Sequence, residues 1–403
     1  VTGCRRSSSL RAFSSPGLIV AALVVVLLAS GCGQAQEPTL LAATTSSTNG
    51  GTILVEDGPL EPMASELAGG DEQVESVTTT TTEPEPVDTR PLVIYDTDMG
   101  PDVDDVLALA MLHAYQDQGR IELAAVTVSR NSEAGARYTD AVNTFYGHPD
   151  IPIGIYRADP TGFDDAGLFV SKATSWPHTL GDGGLLDGYK VQRQVLARAE
   201  AEGRDVMIIQ TGFSGNTAQL LRSEGDENSA RPGRELVADT VSLLSVMAGS
   251  TDFGIVEFNI ERDIDSARYL FANWPGRLVM SPFELGNSIH YPYSSITSDY
   301  GWTDRHPVRE AYEFRDLDWH QDAPPYYNMK SWDLTSVMYA VEPEADWFYV
   351  SGAGTVAVDE SGKTSFNPGS GQHFVLDRYN QYSDGQRRAI VDRMIELSSA
   401  RPG

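Results

Sequence analysis

Leu92-Val93-Ile94-Tyr95-Asp96-Thr97-Asp98-Met99-Gly100-Pro101-Asp102-Val103-Asp104-Asp105-Val106-Leu107 carries an apolar β-type run into an acidic turn and then into an apolar helical run. Asp96, Asp98, Asp102, Asp104 and Asp105 crowd that turn. Like charges gathered at the end of one strand repel each other, and burial raises their pKa values unless a cation or several donors sit among them. The economical reading is a hard-metal site. Carboxylate oxygens with no Cys or His nearby suit Ca²⁺ or Mg²⁺ better than zinc. Gly100 lets the backbone turn sharply, and Asp104 stands where it can cap a helix beginning at Asp105.

Three other readings fit less well. A solvated turn explains Asp by its capping and turning habits alone. An EF-hand-type calcium loop lacks its acidic twelfth residue, since Leu107 stands there. A strand followed by D-x-D also suits an aspartyl-nucleophile phosphatase, but Asp104-Asp105 has no role in that chemistry.

Outward from this stretch, apolar β runs at Leu92 to Tyr95, Leu123 to Val128, Val206 to Ile209, Gly254 to Asn259 and Arg277 to Met280 alternate with helical stretches. The helical stretches include Asp105 to Gln116, Arg137 to Tyr146 and Leu236 to Val246. Such alternation predicts an α/β domain over residues 91–403 with a mainly parallel, Rossmann-like sheet flanked by helices. The pattern changes after Pro343, where Trp347 to Ala357 and Phe374 to Leu376 predict a small C-terminal antiparallel ribbon before a last helix, Asp384 to Leu397. The acidic turn falls at a strand's carboxyl end, where such sheets bind ligands.

The same segment resembles the calcium-binding fingerprint of the nucleoside hydrolases, D-x-D-P-G-x-D-D-A, with two extra residues before the double Asp. Further motifs follow in that family's order: Ala125 to Asn131, Ile208 to Asn216, Glu257-Phe258-Asn259 and Ser331 to Val337. The resemblance implies that Asp98, Asp104, Asp105, Asp333 and the Gly215 carbonyl hold Ca²⁺, with Asp98 accepting the proton of the attacking water. It implies Glu257 and Asn259 as ribose ligands and Asn131 as the residue fixing the attacking side. Asp96 is expected to brace the loop through backbone donors. Two departures concern the leaving group: Trp332 stands where the family often has a His, and Thr251 where an Asn is expected. His178, in a segment resembling the loop over the family's base pocket, is the candidate substitute acid, and Trp332 is a candidate stacking surface for an aromatic aglycone. The resemblance thus implies calcium-dependent hydrolysis of the N-glycosidic bond of a ribonucleoside or related glycosyl compound. A calcium-dependent sugar- or nucleoside-binding protein without turnover is the alternative.

The N-terminus predicts the address. Arg5, Arg6 and Arg11 precede an uncharged run from Pro16 through Ala29, too short for a comfortable membrane span but suited to a signal-peptide core. Ala29-Ser30-Gly31-Cys32 then resembles a bacterial lipobox. Residues 1–31 are expected to be a signal peptide, Cys32 the lipidated first residue of a protein anchored to the outer face of the cytoplasmic membrane, and residues 32–90 a disordered Thr/Pro/Gly-rich linker. Cys4 would leave with the signal, so Cys32 would have no partner for an intrachain disulfide. The formal net charge is −28; removing Arg5, Arg6 and Arg11 from 29 bases leaves 26 against 57 acids, or −31. So acidic a chain repels nucleic acid polymers, and a small neutral glycoside is the easier ligand. Homo-oligomerisation stays open.

Overall fold

The computed structural model describes residues 88–181, 184–319, 328–376 and 383–403. The expected signal peptide, Cys32 and nearly all of the linker lie outside the described residues. The strands are β1 (Leu92–Thr97), β2 (Glu122–Val128), β3 (Ile153–Ile155), β4 (Leu186–Asp187), β5 (Val206–Gln210), β6 (Val241–Met247), β7 (Leu278–Ser281), β8 (His290–Tyr291), β9 (Met329–Lys330), β10 (Gly354–Val358), β11 (Thr364–Pro368) and β12 (His373–Val375). The α-helices are α1 (Asp104–Asp117), α2 (Glu133–Phe145), α3 (Gly188–Glu202), α4 (Gly215–Arg222), α5 (Gly233–Thr240), α6 (Phe258–Arg262), α7 (Ile264–Asn273), α8 (Phe283–Ser288), α9 (Tyr293–Ser298), α10 (Pro307–Trp319), α11 (Trp332–Val341) and α12 (Asp384–Ser398).

Ten strands make one sheet in the order β11-β10-β12-β7-β6-β5-β1-β2-β3-β4. From β4 to β12 every pairing is parallel, and the antiparallel pairs β10–β11 and β10–β12 close the other end. The mainly parallel sheet and its antiparallel extension are therefore as expected, with β12 joining the ribbon to the main sheet through β7. Each face carries its own apolar layer: Val93 and Tyr95 of β1 pack toward α1, α2, α11 and α12, whereas Leu92 and Ile94 pack toward α3, α4, α5 and α7. Period-two alternation along a strand buried on both sides produces this division. Among the described residues no helix is long and apolar enough to cross a membrane.

Topology places the site. The chain leaves β1 for β2, β3 and β4 on one side and returns as β5 on the other, so the strand order reverses at β1. A crevice opens at the carboxyl ends on either side of such a switch point.

Two expected elements differ. Leu236 to Val246 is not one helix: α5 ends at Thr240 and β6 begins at Val241. No Gly or Pro separates them, and the apolar residues on either side continue a helical spacing, while burial of Val241, Leu243, Leu244 and Val246 on the sheet overrides it. Gly254 to Asn259 is not a strand either. Glu257 accepts hydrogen bonds from the amides of Asn259 and Ile260 and so caps α6, turning its β-rich neighbours into a helix entry.

Candidate active site

The first part of the site hangs from β1. Arg130, fully buried, donates through Nε to the Asp98 carbonyl (2.9 Å) and through Nη2 to the Met99 carbonyl (2.8 Å) and Asp165 Oδ1 (3.0 Å). These bonds fix the acidic turn from below. Gly100 makes that possible, since its φ is +138° and a Cβ there would lie 2.5 Å from Arg130 Nη2. Gly212 plays the matching part after β5, where a Cβ would meet the Asp98 amide nitrogen at 2.4 Å.

Two helix starts supply the other carboxylates. α1 begins at Asp104 and Asp105, α11 begins at Trp332 and Asp333, and the positive ends of the helix dipoles offset part of the charge. Asp98, Asp104, Asp105 and Asp333 are all buried, and all line one cavity of about 570 Å³. Asp102 lines it too. Burial pushes the Asp98 carboxyl up to about 7, opposed by Arg130 and reinforced by Asp102. Burial, and then the neighbouring carboxylates, hold Asp105 and Asp333 well above the ordinary range.

Asp104 does not cap α1. Val103 is the cap residue, and Asp104 Oδ2 instead accepts from the Asp333 amide at 3.3 Å. Asp105 Oδ1 accepts from the Thr97 hydroxyl. Engaged in this way, the carboxylates do not present a ready ligand set: among the described residues no three Asp, Glu, His or Cys side chains converge as ligands. The donor chemistry still fits a hard cation. Four buried carboxylates share one wall, and the charges acting most strongly on Asp105 and Asp333 are other carboxylates. Asp96 braces the strand ends, although through side chains rather than backbone donors: its Oδ1 accepts from Thr127 Oγ1 (2.5 Å) and Asn216 Nδ2 (2.8 Å), and its carbonyl accepts from the Thr211 amide (2.6 Å).

Glu257, Asn259 and Trp332 reach the same cavity. Glu257 accepts from the amides of Gly249 (2.9 Å), Asn259 (2.9 Å) and Ile260 (3.3 Å), and burial outweighs these donors to raise its carboxyl to about 7. Asn259 Nδ2 donates to the carbonyls of Thr211 (2.8 Å) and Met247 (3.2 Å), joining the ends of β5 and β6. Trp332 donates Nε1 to the Phe283 carbonyl at 3.1 Å and stacks on the Phe283 ring at 5.5 Å. Its N–H is therefore spent, and the indole is a wall rather than a proton donor.

Three expected site residues are not among those that line the cavity. Asn131 is exposed and absent from the cavity wall; its amide donates to Asp159, while its neighbour Arg130 turns inward. Gly215 opens α4 against Tyr156, whose ring leaves no room for a Cβ, and Thr211, four residues earlier, is the cavity residue of that turn. His178 is also off the wall. Its Nδ1 contacts the Leu180 carbonyl at 3.0 Å, and its loop is tied to α2 by Asp140, which accepts from the amides of Thr179 and Leu180. Cavity residues not foreseen include Thr211, Phe163, Phe283, Arg262 and Lys330. Arg262 follows Phe258 by four residues, the spacing that puts two side chains on one helix face, so only that one carried a local signal.

The sequence of the family described as inosine-uridine preferring nucleoside hydrolase matches residues 93–396. Comparison with curated proteins finds no match. Among solved structures, a plant nucleoside hydrolase superposes with a TM-score of 0.56 at 18% identity, covering 77% of this chain and 99% of its own. A purine-preferring ribonucleoside hydrolase from Gardnerella vaginalis gives 0.58 at 17% identity, over 76% and 99%. The type III effector protein XopQ, solved with adenosine diphosphate ribose, gives 0.56 at 15% identity, over 77% and 95%. At these identities the likeness is one of fold.

Proposed function

The chain belongs to the inosine-uridine preferring nucleoside hydrolase family, and from that premise we propose that it hydrolyses the N-glycosidic bond of a ribonucleoside or a related ribosyl compound in a calcium-dependent reaction. One observation carries the reading: Asp98, Asp104, Asp105 and Asp333, brought from a strand end and two helix starts, share a cavity with Glu257 and Asn259 at the switch point of the sheet. A hard cation held by those four Asp residues would supply Lewis-acid activation of water and an anchor for ribose hydroxyls.

The remaining work falls to the chain itself. Asp98, held in place by Arg130 through its own carbonyl, accepts the proton of the attacking water. Glu257 and Asn259 hydrogen-bond the ribose from the start of α6. Trp332 and Phe283 give the aglycone an aromatic wall that excludes water. This is not the arrangement of two opposed carboxylates used by most glycosidases, since a cation held by these Asp residues would supply part of the activation that a second carboxylate gives there. Asn131, Gly215 and His178 are not among the residues that line the cavity, so no role in the cavity is assigned to them.

That last point favours one second reading, a calcium-dependent nucleoside- or sugar-binding protein without turnover, since no His lines the cavity among the described residues. A screen of reducing-sugar release over nucleosides and pentosides, with and without chelator, separates the two. Release that stops on chelation is expected; calcium-dependent binding without release from any substrate would establish the binder.

The setting is a proposal of its own. Ala29-Ser30-Gly31-Cys32 after a short apolar run supports lipidation at Cys32 and anchoring at the cell envelope, with a polar linker as tether. Mass spectrometry of the native N-terminus should find a diacylated Cys32. A mature chain that begins elsewhere with a free thiol would refute it.

A further inference from the structure

With 57 acidic residues against 29 basic ones, most described arginines pair with Asp or Glu, Arg130, Arg193 and Arg204 among them. Arg262 does not. It lines the cavity of the carboxylate site, its side chain has no ion pair or hydrogen bond among the described residues, and its Nε is buried without a partner. The guanidinium lies 4.5 Å from the Phe258 ring centre and 5.6 Å from that of Phe163. Aromatic faces thus hold it in place while leaving its N–H groups unused.

Leaving such donors unmet is costly, and the planar fork they form matches phosphate or carboxylate oxygens. Arg262 ends α6, the short helix that Glu257 caps and that carries Phe258 and Asn259. Lys330 lines the same cavity, and its Nζ meets His290 Nε2 at 2.9 Å rather than a carboxylate. An anion brought beside Asp98 and Asp333 would be repelled; a guanidinium lining the same cavity with no acid of its own supplies the compensating charge.

Resting on the ribosyl reading above, we infer that the cavity takes an anionic ribosyl compound, its phosphate or carboxylate held by Arg262 with Lys330 as a second cation. The charge sits either on the ribose or on the aglycone, and the probes distinguish the two. Calorimetry on the full chain with calcium present compares ribose with ribose 5-phosphate, and uridine with orotidine, whose base bears a carboxylate. At least one anionic member should bind about tenfold to a hundredfold more tightly than its neutral counterpart, as expected for a charge-assisted hydrogen bond. The ribose 5-phosphate pair reports a charge on the sugar, and the orotidine pair a charge on the aglycone.

Arg262→Gln should remove that preference, and Arg262→Lys should keep part of it, with circular dichroism confirming that each variant folds. If the Gln variant does not fold, Arg262→Lys must still weaken the preference severalfold. A preference unchanged in the variants would assign the anion to the calcium ion and overturn the inference, as would no preference in either pair. Binding is read without turnover, so a chain that cleaves nothing contradicts the hydrolase reading and leaves this result standing.

Discussion

The cavity is lined by two groups of residues of different construction. The carboxylates are held by regular structure: a strand end, two helix starts and a buried Arg130 that clamps backbone carbonyls. The aromatic residues come from loops and short helices, with Phe163 from the segment between β3 and β4, Phe258 on the five-residue α6, and Phe283 opening α8. Chemistry that needs fixed charges stands on the rigid scaffold, whereas recognition of the leaving group stands where the chain can vary without disturbing the sheet.

This contrast predicts a reaction strong in one half and weak in the other. With Trp332 Nε1 committed to Phe283 and no His on the described wall, a leaving group that needs a proton should suffer most. Nitrophenyl riboside should be cleaved faster than inosine by about 10²- to 10⁴-fold, the usual worth of general-acid help. Equal kcat/KM on the two would mean that a donor is in place and would erase the contrast. His178→Ala, a change off the cavity wall, should alter inosine cleavage by about twofold at most, as for other surface substitutions. A much larger loss confined to inosine would bring His178 back as the acid.

A smaller effect concerns stability. Glu257 has a folded-state carboxyl raised from 4.5 to about 7 by burial. The folded state therefore holds its proton more tightly than the unfolded chain does. Its contribution is fully present below the unfolded value and is lost as pH rises through the folded one. The melting temperature of chelated protein should fall between about pH 5 and pH 7.5, and Glu257→Gln should flatten that slope by several degrees. An identical slope in the variant would place the titrating groups elsewhere, and the companion carboxylates Asp96 and Asp98, both raised to about 7, would be next.

The same division explains what the sequence disclosed. Asp98, Asp104 and Asp105 were legible because a strand end and a helix start leave local marks: an apolar run, a glycine and acids in a first turn. Asp333 was singled out only by the family resemblance. Glu257 was legible as a site residue but not as a helix cap, since its β-rich neighbours look the same in either role until tertiary contacts choose. Asn131 and Arg130 are adjacent, and the sequence does not say which faces the cavity; one residue's rotation at the end of β2 decides it. Gly215 and Thr211 raise the same difficulty within one turn. Phe163, Phe283 and Lys330 come from segments distant in the chain, and nothing near them in sequence says that they meet.

The account rests on the four buried carboxylates taking one hard cation, and calorimetric titration of the metal-stripped full chain with Ca²⁺ tests it most directly. One site is predicted for the native protein, with no detectable binding in Asp98→Asn or Asp333→Asn. Unchanged affinity in both variants, or no calcium binding by the native chain, would contradict it.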